Sequence, residues 1–521
     1  MEVKSRKYFF DVWAGVGLIL FLVAWNLPWR FQVNDDVMMM WLVSGAYTGE
    51  PESFAVFIHP ILSWTFSKAY TFAPNIPWYP LTWFGIVFIS YLLILKKVAE
   101  ISSCTRWKHF LTGFVLIAAI HFCFFLQFTI VAGFATLASL LITGSSQNTF
   151  SKPVKIIALV LLVFALMIRW ESMVLVGLGF LLYNILFLTK SEFRSVSRIF
   201  LFLSIAIGLT ISSKIFWENN SEYSDFMAFN KARASVIDHP VFYELVRSNQ
   251  IEKGTAWFFF ANWMFDDDII QVSDLKMKKK ELDKGLFSFT HAVNSLKRLV
   301  SVQKTEVFKT FLSVLLLLIN LIYSSNRRKM IAFTGIWLLF MVVFNMFFIL
   351  NGRVTILFFL VFLFPLLNYS NFPTYQIFKF RIAYLILFSF FVVHILNFLE
   401  EARIRKILYR EFQSLLETIP EGEVVILEGY YEHNFYLDYS LNTKVPILCL
   451  GWISRSPFQK KALNKVGISS LKDADHFSLF GFVVQKDSLN LPEYMNSIGQ
   501  PFELKEVIEK SNFVLMRFSR D

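Results

Sequence analysis

Two adjacent carboxylates, Asp35 and Asp36, follow Asn34 a few residues beyond the first hydrophobic segment of the chain. A hydroxyl nucleophile must lose a proton as it attacks, and an ionised carboxylate within hydrogen-bond reach can take it. Two such groups allow a division of labour. One acts as general base, and the other orients the acceptor or, through its oxygens, a divalent metal such as Mg or Mn. The structural alternative is that Asn34 or Asp35 caps a helix running through Met38, Met39 and Met40. The apolar face of that helix would then lie on a membrane.

Cations suited to a phosphate leaving group stand elsewhere in the sequence. Arg169 and Arg353 are each isolated in an apolar run, and Lys231 and Arg233 share a segment that reads as helix. Guanidinium forks neutralise phosphate oxygens best where water is scarce. The competing reading makes the two isolated arginines helix-end residues reaching for the interface, and the Lys231–Arg233 pair a solvated helix face. Glu171 lies two residues from Arg169, a spacing that pairs on a helix only where the segment is distorted. It is a candidate acidic residue of the site or a counter-ion. Asn34, His59 and His239 complete the candidates for substrate contact, and His239, which precedes Pro240, also reads as a helix-ending residue. Trp257 to Trp263 and Asp266-Asp267-Asp268 suit sugar rings and hydroxyls, or interfacial anchoring and a solvated acidic run.

The elements that position these residues must be membrane helices. The 521 residues are 55% hydrophobic and include 61 Phe and 14 Trp, with a mean hydropathy of +0.52. That composition excludes a soluble globule. Apolar runs recur to residue 400 with basic residues clustered between them, among them Lys96, Lys97, Arg106, Lys108, Lys152, Lys155, Arg327 and Arg328. The positive-inside tendency places those loops in the cytoplasm. The runs 109–144, 154–188 and 330–368 then each leave and return, with Gln127, Arg169 to Ser172 and Asn351 to Arg353 at their outer tips. At 1.5 Å per residue, 154–188 is too long for one span and short for two, so its tip is expected to be recessed. With 8–28 as a retained anchor and 78–95, 199–215, 306–323 and 382–400, the expectation is about eleven helices, N-terminus inside and C-terminus outside.

Residues 1–400 thus read as a transmembrane domain with a first outer loop at 29–77 and a large outer loop at 216–305. Residues 401–521 read as a small extracytoplasmic α/β domain. It opens with an amphipathic connecting helix, followed by short strands at 423–428, 445–450 and 480–484 and a strand pair within 502–518. No phosphate loop or nucleophile elbow occurs in it. Cys104, Cys123 and Cys449 fall in unrelated surroundings, and the net charge of +11 is explained by the loops rather than by nucleic acid.

An acidic pair in the first outer loop of a polytopic chain, followed by interfacial helices and a soluble outer C-terminal domain, resembles the GT-C superfamily of membrane glycosyltransferases. The resemblance covers the architecture of nearly the whole chain, but Asp35-Asp36 is the one short motif that transfers. It implies a polyprenyl-phosphate-linked or polyprenyl-diphosphate-linked sugar donor and a lipid, glycan or protein acceptor. It puts the catalytic base at Asp35 or Asp36 without choosing between them. A single displacement by the acceptor would invert the anomeric centre. A bacterial cytoplasmic membrane fits this reading. A lipid-linked oligosaccharide polymerase or ligase is the alternative, with a flippase or transporter third.

Overall fold

The computed structural model describes residues 2–101, 105–144, 150–369, 377–420, 422–428 and 446–520. Cys104 and Val445 lie outside them. The protein is predominantly helical, and seven described helices are long and apolar enough to cross a membrane: Lys4–Asn26, Trp78–Glu100, Thr105–Phe124, Lys152–Phe187, Ile199–Asn219, Arg327–Phe347 and Arg381–Leu416. A bent pair, Phe289–Thr305 with Val307–Tyr323, turns through 102° at Glu306 and makes an eighth if counted as one span. The expected eleven is reached only by adding the shorter apolar helices Phe128–Thr143 and Gly352–Asn368 and by counting Lys152–Phe187 twice.

Residues Lys152–Phe187 are not one straight rod. Arg169 leaves helical geometry (φ −157°, ψ 91°) and packs over Phe128, at the start of Phe128–Thr143. Phe180 lies at Gly144, just beyond the other end of that helix, where a Cβ would meet its ring at 2.2 Å. A straight continuation would carry Lys152 about 40 Å from Gly144. Eight Cα steps reach at most about 29 Å, so the chain folds back at Arg169. The break frees the carbonyl of Met167, which accepts a 2.8 Å hydrogen bond from the amide of His59 in the first loop.

That loop is built inward. Arg30–Phe31 (β1) pairs in parallel with Phe125–Leu126 (β2), pinning the loop to the end of Thr105–Phe124. The helix Asn34–Ser44 follows, and Gly45 closes it at φ +82°, where a Cβ would strike the backbone of Glu50 and Pro51 at 2.7 Å. The expected helix through the methionines is therefore present, but two details differ. Its N-cap is Val33 with no side-chain cap, not Asn34 or Asp35. Residues Asp36 to Val43 are all buried, so the helix is enclosed by protein rather than lying on a membrane surface.

The long helix Ile377–Leu416 runs uninterrupted through residue 400, so the connecting helix expected at 401–416 continues the last span. Beyond it lie Val424–Leu427 (β3), Ile447–Cys449 (β4), His476–Phe482 (β5), Glu503–Glu509 (β6) and Phe513–Ser519 (β7) in the order β4-β3-β5-β7-β6. β3 is parallel to β4 and β5, whereas β7 is antiparallel to β5 and β6. β3 is apolar and buried throughout, whereas β5 and β7 carry His476, Ser478, Arg517 and Ser519 among their apolar residues.

This sheet region is fastened to the loops 29–77 and 216–305. Phe458 stacks on Tyr223 at 5.0 Å, and Lys461 binds Glu52 at 2.9 Å. The acidic run of the large loop forms a latch. Asp266 accepts from Gln459 Nε2 (2.6 Å) and Ser454 Oγ (3.2 Å), Asp267 accepts from the hydroxyl of Tyr494, and Asp268 faces Arg455 at 3.7 Å. Burial pushes the Asp266 carboxyl above its usual range, against the pull of its two hydrogen bonds.

Candidate functional site

The two adjacent carboxylates have opposite surroundings. Asp36 is fully buried, accepting from the hydroxyl of Tyr79 at 2.9 Å and the amide of Phe128 at 3.4 Å. Burial pushes its carboxyl well above the ordinary range, partly offset by the Tyr79 bond. Asp35 is partly accessible, and its Oδ2 lies 3.8 Å from Nη1 of Arg353. With helix periodicity, one residue's step rotates a side chain by about 100°, enough to send one carboxylate into the core and leave its neighbour facing out. Asn34 is half-buried on the first turn of the same helix.

Three of the four candidate cations gather around Asp238, two of them also acting on Asp35. Arg353 sits in the first turn of Gly352–Leu360. Arg169 sits at the fold-back, its Nε 3.2 Å from Glu171 Oε2, a pairing that the broken helix permits and a regular one would not. Arg233, on Ser224–Ile237, is buried. Asp238, at the end of that helix, feels the charges of Arg233, Asp35, Arg353 and Arg169 together. It is accessible, and the protein around it raises its carboxyl above the usual value.

Arg233 donates from Nε and Nη2 to Asn230 Oδ1 (3.0 and 2.8 Å) and lies 5.1 Å from the ring of Trp263. Its Nη1 is buried without a hydrogen-bond partner. Burial lowers its pKa to about 10, so it stays charged at neutral pH, with Asp238 and Asp35 favouring the charge. Lys231 stands apart, its ammonium 2.7 Å from the buried Glu218.

The two histidines occupy structural positions. His59 Nδ1 accepts from the amide of Ile61 at the start of Pro60–Phe72, and its Nε2 meets Ser213 Oγ at 3.1 Å. His239 Nδ1 accepts from Val241 at the start of Pro240–Arg247, and its Nε2 lies 3.3 Å from Asp283. Burial lowers both imidazoles below their ordinary pKa, which keeps Nδ1 an acceptor at neutral pH.

A second polar cluster, which sequence reasoning missed, supports Arg353 from below. Glu306 at the 102° corner accepts from Gln32 Nε2 (3.1 Å) and pairs with the buried Lys309 (3.0 Å). It packs so tightly under Gly352 that a Cβ there would come within 2.5 Å of its side chain. The available signal was Lys309 itself, an ionisable residue inside an apolar run. Tyr79 was missed for the opposite reason, since an aromatic among aromatics carries no mark of its partner.

A divalent cation does not fit the acidic pair well. Asp36 is sealed and has both oxygens engaged, which leaves Asp35 as the one accessible oxygen donor of the two, and no group of three potential metal-ligating side chains occurs among the described residues. Comparisons with protein-family models, with curated proteins and with solved structures found no match to this chain.

Proposed function

We propose that this protein is a membrane glycosyltransferase that moves a sugar from a polyprenyl-phosphate-linked or polyprenyl-diphosphate-linked donor to an acceptor hydroxyl, in a GT-C-like arrangement. The observation that carries the reading is the split of the acidic pair: Asp35 accessible beside Arg353, Asp36 locked behind it. In this reading Asp35 takes the proton of the acceptor hydroxyl as its oxygen forms a bond to the anomeric carbon. The bond from that carbon to the phosphate oxygen breaks, and the electron pair leaves with the phosphate. That leaving group needs charge neutralisation rather than a proton, which Arg353 and Arg169 supply, with Arg233 adding charge behind them. With no enzyme nucleophile, the anomeric configuration inverts. Asp36 serves as a positioning residue, tying the catalytic helix to Tyr79 and to the start of Phe128–Thr143.

The test is transfer of radiolabelled sugar from a panel of polyprenyl-phosphate donors into membrane lipids and glycans, at equal expression of each variant. Asp35→Asn is expected to abolish transfer. Wild-type transfer in Asp35→Asn would remove the base and overturn the reading.

A further inference from the structure

Four residues other than glycine hold a left-handed backbone among the described residues: Val56 (φ 62°), Asn249 (φ 51°), Trp263 (φ 65°) and Arg455 (φ 62°). Asparagine tolerates that conformation, whereas a β-branched or bulky residue adopts it only when its surroundings impose it. The three costly ones surround one place. Val56 precedes Phe57, whose ring meets Trp452 edge-on at 4.8 Å. Trp263 abuts Gly451, where a Cβ would stand 3.4 Å from the indole. Arg455 lies 4.3 Å above Phe229, one helical turn before Arg233.

Trp263 is unusual in a second way. Trp41, Trp83 and Trp107 are fully buried, and of the two exposed tryptophans, Trp64 and Trp263, only Trp263, 40% exposed, is held by a left-handed backbone. Beside it is the buried, unpartnered Nη1 of Arg233, whose charge is felt by the accessible carboxylate of Asp238 at the end of the same helix. An apolar ring face, a donor without an acceptor and an acceptor-only carboxylate are the complement of a pyranose. Its C–H face stacks on an aromatic ring, its oxygens accept from guanidinium and its hydroxyls donate to carboxylate.

We propose that Trp263, Arg233 and Asp238 form a carbohydrate-binding site and that, resting on the glycosyltransferase reading, the ring it holds belongs to a glycan acceptor. Arg233 and Asp238 both feel the charge of Asp35, so a ring held there has its hydroxyls in the neighbourhood of the base.

The experiment is binding of the purified full-length protein in detergent to a panel of immobilised hexopyranose oligosaccharides, comparing wild type with Trp263→Gly and Trp263→Phe. Glycine adopts positive φ freely, so Trp263→Gly removes the platform while relieving the backbone. A wild-type thermal melt and an unchanged elution profile establish that it folds. The expected result is a loss of affinity of about tenfold or more in Trp263→Gly and near-retention in Trp263→Phe, which keeps an aromatic face. Equal binding by wild type and Trp263→Gly, or no binding of any oligosaccharide by the folded wild type, overturns the site. Trp263-dependent binding by a protein that transfers no sugar from any donor would instead overturn the enzyme reading and leave the site standing.

Discussion

Arg353 Nη1 stands 3.8 Å from Asp35 Oδ2, and the helix start that carries Arg353 rests on Glu306. The cation is therefore held beside the one accessible carboxylate of the pair by a support that reaches into the membrane domain, where Glu306 meets Lys309. A lysine ammonium is a point charge on a flexible stem and lacks the planar, always-charged guanidinium that suits phosphate oxygens. Arg353→Lys is expected to lower kcat for sugar transfer about tenfold, and Arg353→Ala about 100-fold, with little change in melting temperature. Wild-type kcat in Arg353→Ala would separate the arginine from the chemistry.

Gly352→Ala tests the same support without touching a charge. Its new methyl would enter the space of the Glu306 side chain, which is tethered at both oxygens by Gln32 and Lys309 and has little freedom to yield. Overpacking of this kind typically costs about 1–3 kcal/mol. Transfer is expected to fall because Arg353 shifts, and a thermal melt should drop with it. An unchanged melt and rate would mean that the corner is looser than its contacts imply.

The buried Asp36 makes stability depend on pH with a definite sign. Its folded-state pKa is raised above the ordinary value of 3.8, so the folded protein holds this proton more tightly than the unfolded chain does. As pH climbs from about 4 towards the folded value, the unfolded state ionises first and is favoured, and stability falls. Asp238 and Asp266, also raised, contribute with the same sign. Asp36→Asn keeps an acceptor for Tyr79 and removes the titration, so its melting temperature should vary less with pH than that of wild type. Parallel curves for the two proteins would show that Asp36 has no such effect.

His59 and His239 were candidates for substrate contact, and their places at two helix starts make a different demand. His59→Asn and His239→Asn keep a side-chain acceptor at the N-cap, whereas the alanine variants do not. Each alanine variant should lose about 1 kcal/mol of stability, and the asparagine variants considerably less. All four should retain sugar transfer when assayed as folded protein. Loss of transfer in a stable His59→Asn would return that imidazole to the site.

The legibility of this protein in its sequence was uneven for physical reasons. Membrane helices are announced by composition, and the reversal of 154–188 is legible from the basic loops on either side of it, with its length, too great for one span and short for two, pointing to a recessed tip. The pairing of Arg169 with Glu171 was legible as a conditional: it needed a distortion, and the backbone supplies one. Long-range partners were not legible. Nothing near Asp36 in sequence indicates Tyr79, 43 positions away, and so the roles of two adjacent carboxylates could not be separated. The helix through the methionines was placed on a membrane surface because enclosure and lipid contact favour the same apolar residues.

The acidic run Asp266-Asp267-Asp268 illustrates the same limit and yields a last expectation. Three consecutive carboxylates read as solvated or as ligands, yet Asp266 and Asp267 are engaged by Gln459, Ser454 and Tyr494 and fasten the C-terminal sheet region to the large loop 216–305. Asp266→Ala leaves the buried donors of Gln459 and Ser454 unsatisfied, at a cost of about 1–3 kcal/mol. Gln459→Ala should cost less, because Asp266 keeps Ser454, and the double variant should be less destabilised than the sum of the two. The same variants should release a C-terminal fragment faster under limited proteolysis in detergent, since loss of the latch exposes the connection to the membrane domain. Transfer should fall in parallel, because Trp452 and Arg455 ride on the latched segment and pack on Phe57 and Phe229. Strictly additive effects and wild-type proteolysis would mean that apolar contacts such as Phe458 against Tyr223 hold the two parts together, with the carboxylates as passengers.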